Sequence, residues 1–112
     1  MDRELDVGRL SELEELLGTK RTAIARTLVT ELTAAVGRID AGLERRDLPE
    51  VAAAAHAARN SALMIDAQPL LRVLRQLETC ARGEDATGAG EARAGVARVW
   101  PRLRRELEAA AG

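Results

Sequence analysis

Among residues able to do chemistry, this chain offers one histidine, His56, and a positive charge one helical turn further on, Arg59. Around them Leu48, Val51, Ala55, Ala58, Ala62 and Ile65 recur at spacings of three and four, the mark of a helix with one apolar face. At about 100° per residue, His56 falls roughly 130° from the centre of that face and should point at solvent. Its neighbours one turn away are small on one side, Ala52 and Ala53, and polar on the other, Arg59 and Asn60. A rigidly held, accessible imidazole beside a guanidinium is equipped to accept a phosphoryl group. Leu63 and Met64 also lie off the apolar face, next to the histidine, where exposed apolar area suits a partner surface.

A lone histidine on a helical surface also has an ordinary reading, as a solvated side chain. The residues that follow carry more. His56-Ala-Ala-Arg59-Asn60-Ser61-Ala62, then Asp66-Ala67, Leu70 and Leu77-Glu78, resemble the histidine-containing phosphotransfer (HPt) domain of bacterial phosphorelays. The family wording is roughly His-x-x-Lys-Gly-Ser/Ala, then Gly-Ala, a leucine three residues on, and a later Leu-Glu. Arg59 stands in the lysine position, Asn60 in the first glycine position and Asp66 in the glycine of Gly-Ala. Asp6, Leu10, Leu13, Leu17-Gly18, Arg38-Ile39, Asp47 and Val51 extend the likeness over almost the whole chain.

The resemblance implies an antiparallel up-down-up-down four-helix bundle with His56 mid-helix on its surface. It implies that His56 accepts phosphate from the phospho-aspartate of a response-regulator receiver domain and returns it to another receiver. Mg²⁺ and most of the catalysis would then come from the receiver; the bundle needs no cofactor or metal and has no turnover of its own. Arg59 is assigned to charge support, and Ala52, Ala53, Asn60, Leu63 and Met64 to partner docking. A hybrid histidine kinase is a further expected partner. Asn60 marks the competing reading: a bundle that binds a receiver or kinase as a regulator without being phosphorylated, because asparagine adds bulk beside His56 where glycine leaves room.

Composition narrows the field independently. At 112 residues the chain makes one domain, able to bury about two-thirds of its unfolded surface without staples. Seventeen Lys+Arg against eighteen Asp+Glu leave a formal net charge of −1, with no basic excess for nucleic acid. An aromatic content of 1% leaves no platform for stacking bases. One histidine and one cysteine do not make a zinc site of the usual kind. Cys80 has no partner for an internal disulfide, which suits a reducing, cytoplasmic setting. No apolar run is long enough to span a bilayer, and Met1-Asp-Arg-Glu lacks a signal-peptide core. A monomer is expected.

The elements that must position His56 follow from apolar spacing and caps. A short first helix with Leu10, Leu13 and Leu16/Leu17 should start at Asp6 or at a Ser11–Glu14 capping box, stop at Gly18 and cover one end of the bundle. Thr19 then caps a long helix over 20–46, with Ile24, Leu28, Leu32, Ala35/Val36, Ile39 and Leu43 on its apolar face. Asp47 caps the histidine helix, with Pro49 in its first turn and Glu50 in the reciprocal position. Asp66, able to adopt a left-handed backbone, ends it. A helix over 67–82 carries Leu70, Val73/Leu74, Leu77 and Ala81, with Cys80 as a small core residue. The glycine-rich stretch 83–90 reads as a loop before a final helix over 91–110, which Pro101 should kink.

Overall fold

In the computed structural model the described residues are 6–112, with side chains from residue 15 on, Leu16 excepted. They form four helices, α1 (Asp6–Glu44), α2 (Leu48–Met64), α3 (Gln68–Arg82) and α4 (Ala86–Ala110). Each packs on its neighbour in the chain, and α4 closes the ring against α1, giving the antiparallel four-helix bundle that the apolar stripes require.

The core is aliphatic. Leu28, Leu32 and Ile39 of α1, Val51 of α2, Leu70, Leu71, Leu74 and Leu77 of α3 and Val96 of α4 are almost wholly enclosed, with Trp100 beside them. α2 enters this core with alanines: Ala52, Ala54, Ala55, Ala58 and Ala62 are all buried. Small side chains let the histidine helix sink between α1 and α3 and press against both. Gly42 of α1 makes one such approach possible, since a Cβ there would lie 2.8 Å from Val51 Cγ2. Gly95 does the same between α4 and Val73 of α3, again at 2.8 Å. Gly37 faces open space, so it serves no such purpose.

The three turns share one geometry. Arg46, Asp66 and Glu84 each adopt a left-handed backbone, with φ of 58°, 50° and 58°. In each turn the next residue donates its N–H five residues back: Asp47 to Gly42, Ala67 to Ala62, and Asp85 to Cys80, at 2.8, 3.1 and 2.8 Å. This is the Schellman closure, which satisfies the last carbonyls of a helix while reversing the chain. Asp66 thus does what the sequence asked of it. None of the three left-handed positions is a glycine, so each carries a modest backbone cost that the packed helices must offset.

Several expectations change. No break occurs at Gly18–Thr19, and the separate short covering helix is instead a continuation of α1. Threonine does not cap there: the hydroxyls of Thr19, Thr22, Thr27 and Thr30 each donate to the carbonyl four residues back, at 2.9–3.1 Å, so the helix passes through them. The Ser11–Glu14 capping box and the edge of Leu10, Leu13 and Leu16 lie outside the described side chains. Ile24, expected in the core, is exposed.

The loop over 83–90 shrinks to Gly83–Asp85, because Asp85 caps α4 by accepting from Gly88 N–H at 2.9 Å. A Cβ at Gly88 would lie 2.7 Å from Cys80 Sγ and would crowd the capping carboxylate, so glycine belongs in this first turn. α4 runs unbroken past Pro101. Asp47 caps α2 by accepting from Glu50 N–H at 3.2 Å, but Glu50 does not return the bond; its carboxylate accepts from Arg38 Nε at 2.8 Å.

Candidate functional site

His56 is in the middle of α2, on the outer surface, with its side chain 52% exposed. Facing it from α3 is Glu78, whose carboxylate is only 7% exposed and gathers the site. One carboxylate oxygen takes a guanidinium nitrogen of Arg59, reaching across from α2. The other accepts from Arg82 Nε at 2.9 Å, lies 2.6 Å from Arg82 Nη2, and meets His56 Nδ1 at 3.2 Å. Two helices therefore build the site: α2 supplies the imidazole and one arginine, α3 the carboxylate and the other arginine.

The charge state of Glu78 follows from these contacts. Burial pushes its carboxyl pKa up, while hydrogen bonds from Arg59 and then Arg82, with their charges, pull it down; the arginines prevail and the pKa lies below its ordinary value. Glu78 is ionised at neutral pH and has no proton to give. The bond to His56 Nδ1 therefore needs a proton on Nδ1, and a neutral ring then carries its lone pair on Nε2. A neutral imidazole with one nitrogen anchored and the other free on an exposed ring is a positioned nucleophile.

The formal charges of Arg59, Arg82 and Glu78 sum to +1 around the imidazole. The two arginines are held differently. Arg59 is 27% exposed, and its Nε is buried without a hydrogen-bond partner among the described residues. Arg82 is 62% exposed.

The other flank of α2 holds different chemistry. Ser61, buried, donates to Glu31 of α1 at 3.1 Å. Glu31, Ala34, Ala35, Arg38, Ala57 and Ser61 line a shallow groove between α1 and α2. Ala53, Asn60, Leu63 and Met64 are exposed around His56, where the sequence places them. Ala52 is not: it is buried in the core and is no part of an accessible surface. The apolar stripe drawn from the sequence was too narrow, because α2 is pressed from two sides and buries Ala52, Ala54 and Ser61 beyond it. Met64 meets Ile24, Thr27 and Leu28 of α1 in a second shallow groove at the end of α2.

Sequence reasoning assigned Arg59 a phosphate-facing charge; the structure places its guanidinium on Glu78. It gave no role to Arg82 and saw Glu78 only as part of the family wording. Two signals pointed to them. Glu78 and Arg82 have the i,i+4 spacing of a helical ion pair, and His56 and Glu78 lie nearly equidistant from the turn at Asp66, which brings them level in an antiparallel pair.

The chain is an all-helical bundle that presents an exposed, carboxylate-anchored histidine. Residues 9–112 match the family model of the Hpt domain, and the chain belongs to that family. No curated protein and no solved structure matches it. Hpt domains carry phosphoryl groups on histidine in phosphorelays, together with response-regulator receiver domains.

Proposed function

We propose that this protein is a phosphorelay shuttle in which Nε2 of His56 takes a phosphoryl group from a receiver phospho-aspartate and delivers it to a second receiver. The supporting observation is the contact of His56 Nδ1 with the ionised, buried Glu78 at 3.2 Å, which orients the ring and leaves Nε2 as the free nitrogen.

The Nε2 lone pair attacks phosphorus as the P–O bond of the acyl phosphate breaks, restoring the receiver's aspartate carboxylate. Nδ1 keeps its proton, so the ring becomes an imidazolium whose charge lies against Glu78. Transfer onward reverses these steps, and the neutral imidazole leaves. Glu78 thus acts as a positioning residue: it fixes the tautomer and stabilises the positive ring in the loaded state. Arg59 contributes charge at one remove, by holding Glu78 ionised. The receiver brings Mg²⁺ and aligns its acyl phosphate, and phosphoryl transfer depends mainly on such alignment and charge stabilisation.

Ala53, Leu63 and Met64 offer the receiver apolar contact, and Asn60 an amide able to donate and accept. Autophosphorylation with ATP is not expected of this chain, whose sequence carries no phosphate-cradling loop.

The test is incubation with phosphorylated receiver domains from the same genome, using the parent chain and His56→Gln. Label should pass to the parent and not to the variant, whose circular dichroism should match the parent's. A parent that binds receivers yet stays unlabelled would instead make it a non-phosphorylated regulator.

A further inference from the structure

We propose that Arg82, on α3, is the cation that takes hold of the phosphoryl group on His56, while Arg59 stays with Glu78 as its permanent counter-ion. This rests on the shuttle reading above, and deepens it by naming the residue that contacts the transferred group.

The imidazole and Arg82 meet the same oxygen of Glu78. Glu78 Oε2 accepts from Arg82 Nε, lies 2.6 Å from Arg82 Nη2 and meets His56 Nδ1, while the other oxygen serves Arg59. The Arg82 guanidinium and the imidazole thus divide one carboxylate oxygen between them. The imidazole contact, at 3.2 Å, is the longest of the three. Arg82 therefore holds the anchor of the nucleophile with a guanidinium that has other places to go.

Exposure decides which arginine moves. Arg82 is 62% exposed, and rotating its long side chain costs little packing. Arg59 is 27% exposed with its Nε buried, so withdrawing it would strip the buried carboxylate of a close partner.

Loading changes the balance in the same direction. The unloaded group carries +1 from two arginines and one carboxylate. Phosphorylation adds close to two negative charges, partly offset by the imidazolium. The phosphoryl oxygens then outbid Glu78 for a planar, forked donor, because guanidinium and phosphate match in geometry and charge. When Arg82 turns away, Glu78 Oε2 is left to the Nδ1–H of the new imidazolium, the contact that the loaded ring needs most. One movement serves both ends of the imidazole.

Chemical loading with phosphoramidate tests this without a receiver. The Nε2–P bond forms as the P–N bond of phosphoramidate breaks and ammonia leaves. In the ¹H–¹⁵N spectrum, the Arg82 Nε–H signal should shift on loading of the parent while that of Arg59 stays in place. Arg82→Ala should load roughly fivefold or more slowly than the parent, as expected for losing one charged donor to a phosphoryl group; Arg82→Lys should recover part of the loss. Thermal unfolding of unloaded Arg82→Ala should remain close to the parent's, separating this effect from folding.

An Arg82 signal unmoved by loading, a shift of Arg59 instead, parent-like loading of Arg82→Ala, or a parent that does not load would each overturn the proposal. A parent that loads from phosphoramidate but takes no label from any receiver would count against the shuttle reading and leave the assignment of Arg82 standing.

Discussion

The two flanks of the histidine helix differ in how their charges are used. Toward α3, one buried carboxylate is shared by Arg59, Arg82 and His56, so that any change at the imidazole is felt by every member. Toward α1, charges are settled in separate pairs, Ser61 with Glu31 and Arg38 with Glu50, leaving Ala34, Ala35 and Ala57 as a low floor between them. The first arrangement suits chemistry, because a coupled set responds to added charge. The second suits close packing and contact, because it presents shape with little charge to displace. α2 is built of alanines for the same reason, since bulky side chains would hold both flanks at a distance.

The largest effects should come from breaking the coupled flank. Glu78→Ala removes the anchor of His56 and leaves Arg59, with its buried Nε, lacking a counter-ion. We expect a loss of about 2 kcal/mol in urea unfolding and labelling slowed by roughly tenfold or more as the ring loses its fixed tautomer. Glu78→Gln retains an acceptor for Nδ1 and should lose less of the rate. The pH dependence has a definite sign. Because folding lowers the Glu78 pKa, its contribution is fully present above the ordinary carboxylate value and is lost as pH falls through the lowered one. The stability gap between parent and Glu78→Gln should therefore narrow in acid; a gap that widens there would contradict the ionised anchor.

The packed flank should break more gently. Gly42→Ala sets a methyl group 2.8 Å from Val51 Cγ2 and should cost about 1–2 kcal/mol by over-packing. Gly37→Ala, five residues earlier on the same helix, meets nothing within 4 Å and should stabilise by about 0.5–1 kcal/mol through helix propensity. Opposite signs in thermal unfolding would establish that α1 and α2 touch closely at Gly42; equal signs would refute it.

The smallest expected effect belongs to Asn60, exposed on the ridge between the flanks. Asn60→Gly should cost on the order of half a kcal/mol, and transfer from a native receiver should be unchanged or slower as the amide contact is lost. Faster transfer would instead mark Asn60 as a steric block, the behaviour of a regulatory bundle.

What the sequence disclosed depended on whether the signal was local. The Asp47 cap and the left-handed Asp66 are decided within a few residues and appear in the structure, as do the apolar stripes apart from the exposed Ile24 and the wider buried face of α2. The exposure of His56 followed from one angle on one helix. Errors arose where a local signal had a competing outcome. Gly18–Thr19 reads as a stop and a cap, but threonine also bonds back to the preceding turn. Three glycines before Glu91 read as a loop, but Asp85 caps a helix that begins among them. The charge network was least legible, because Arg59 has no visible partner until α3 lies beside α2. Glu78 and Arg82 were open to view as an i,i+4 pair, yet nothing in that spacing says that the pair faces a histidine.

The central claim is that Glu78 holds the proton on Nδ1 and leaves Nε2 to carry phosphorus. Since the chain has a single histidine, a long-range ¹H–¹⁵N spectrum of histidine-labelled protein, recorded before and after phosphoramidate loading, reads both nitrogens without overlap. At neutral pH the unloaded ring should show a protonated Nδ1 and a lone pair on Nε2, with ³¹P coupling appearing on Nε2 after loading. A neutral ring protonated on Nε2, or phosphorus attached at Nδ1, would contradict it.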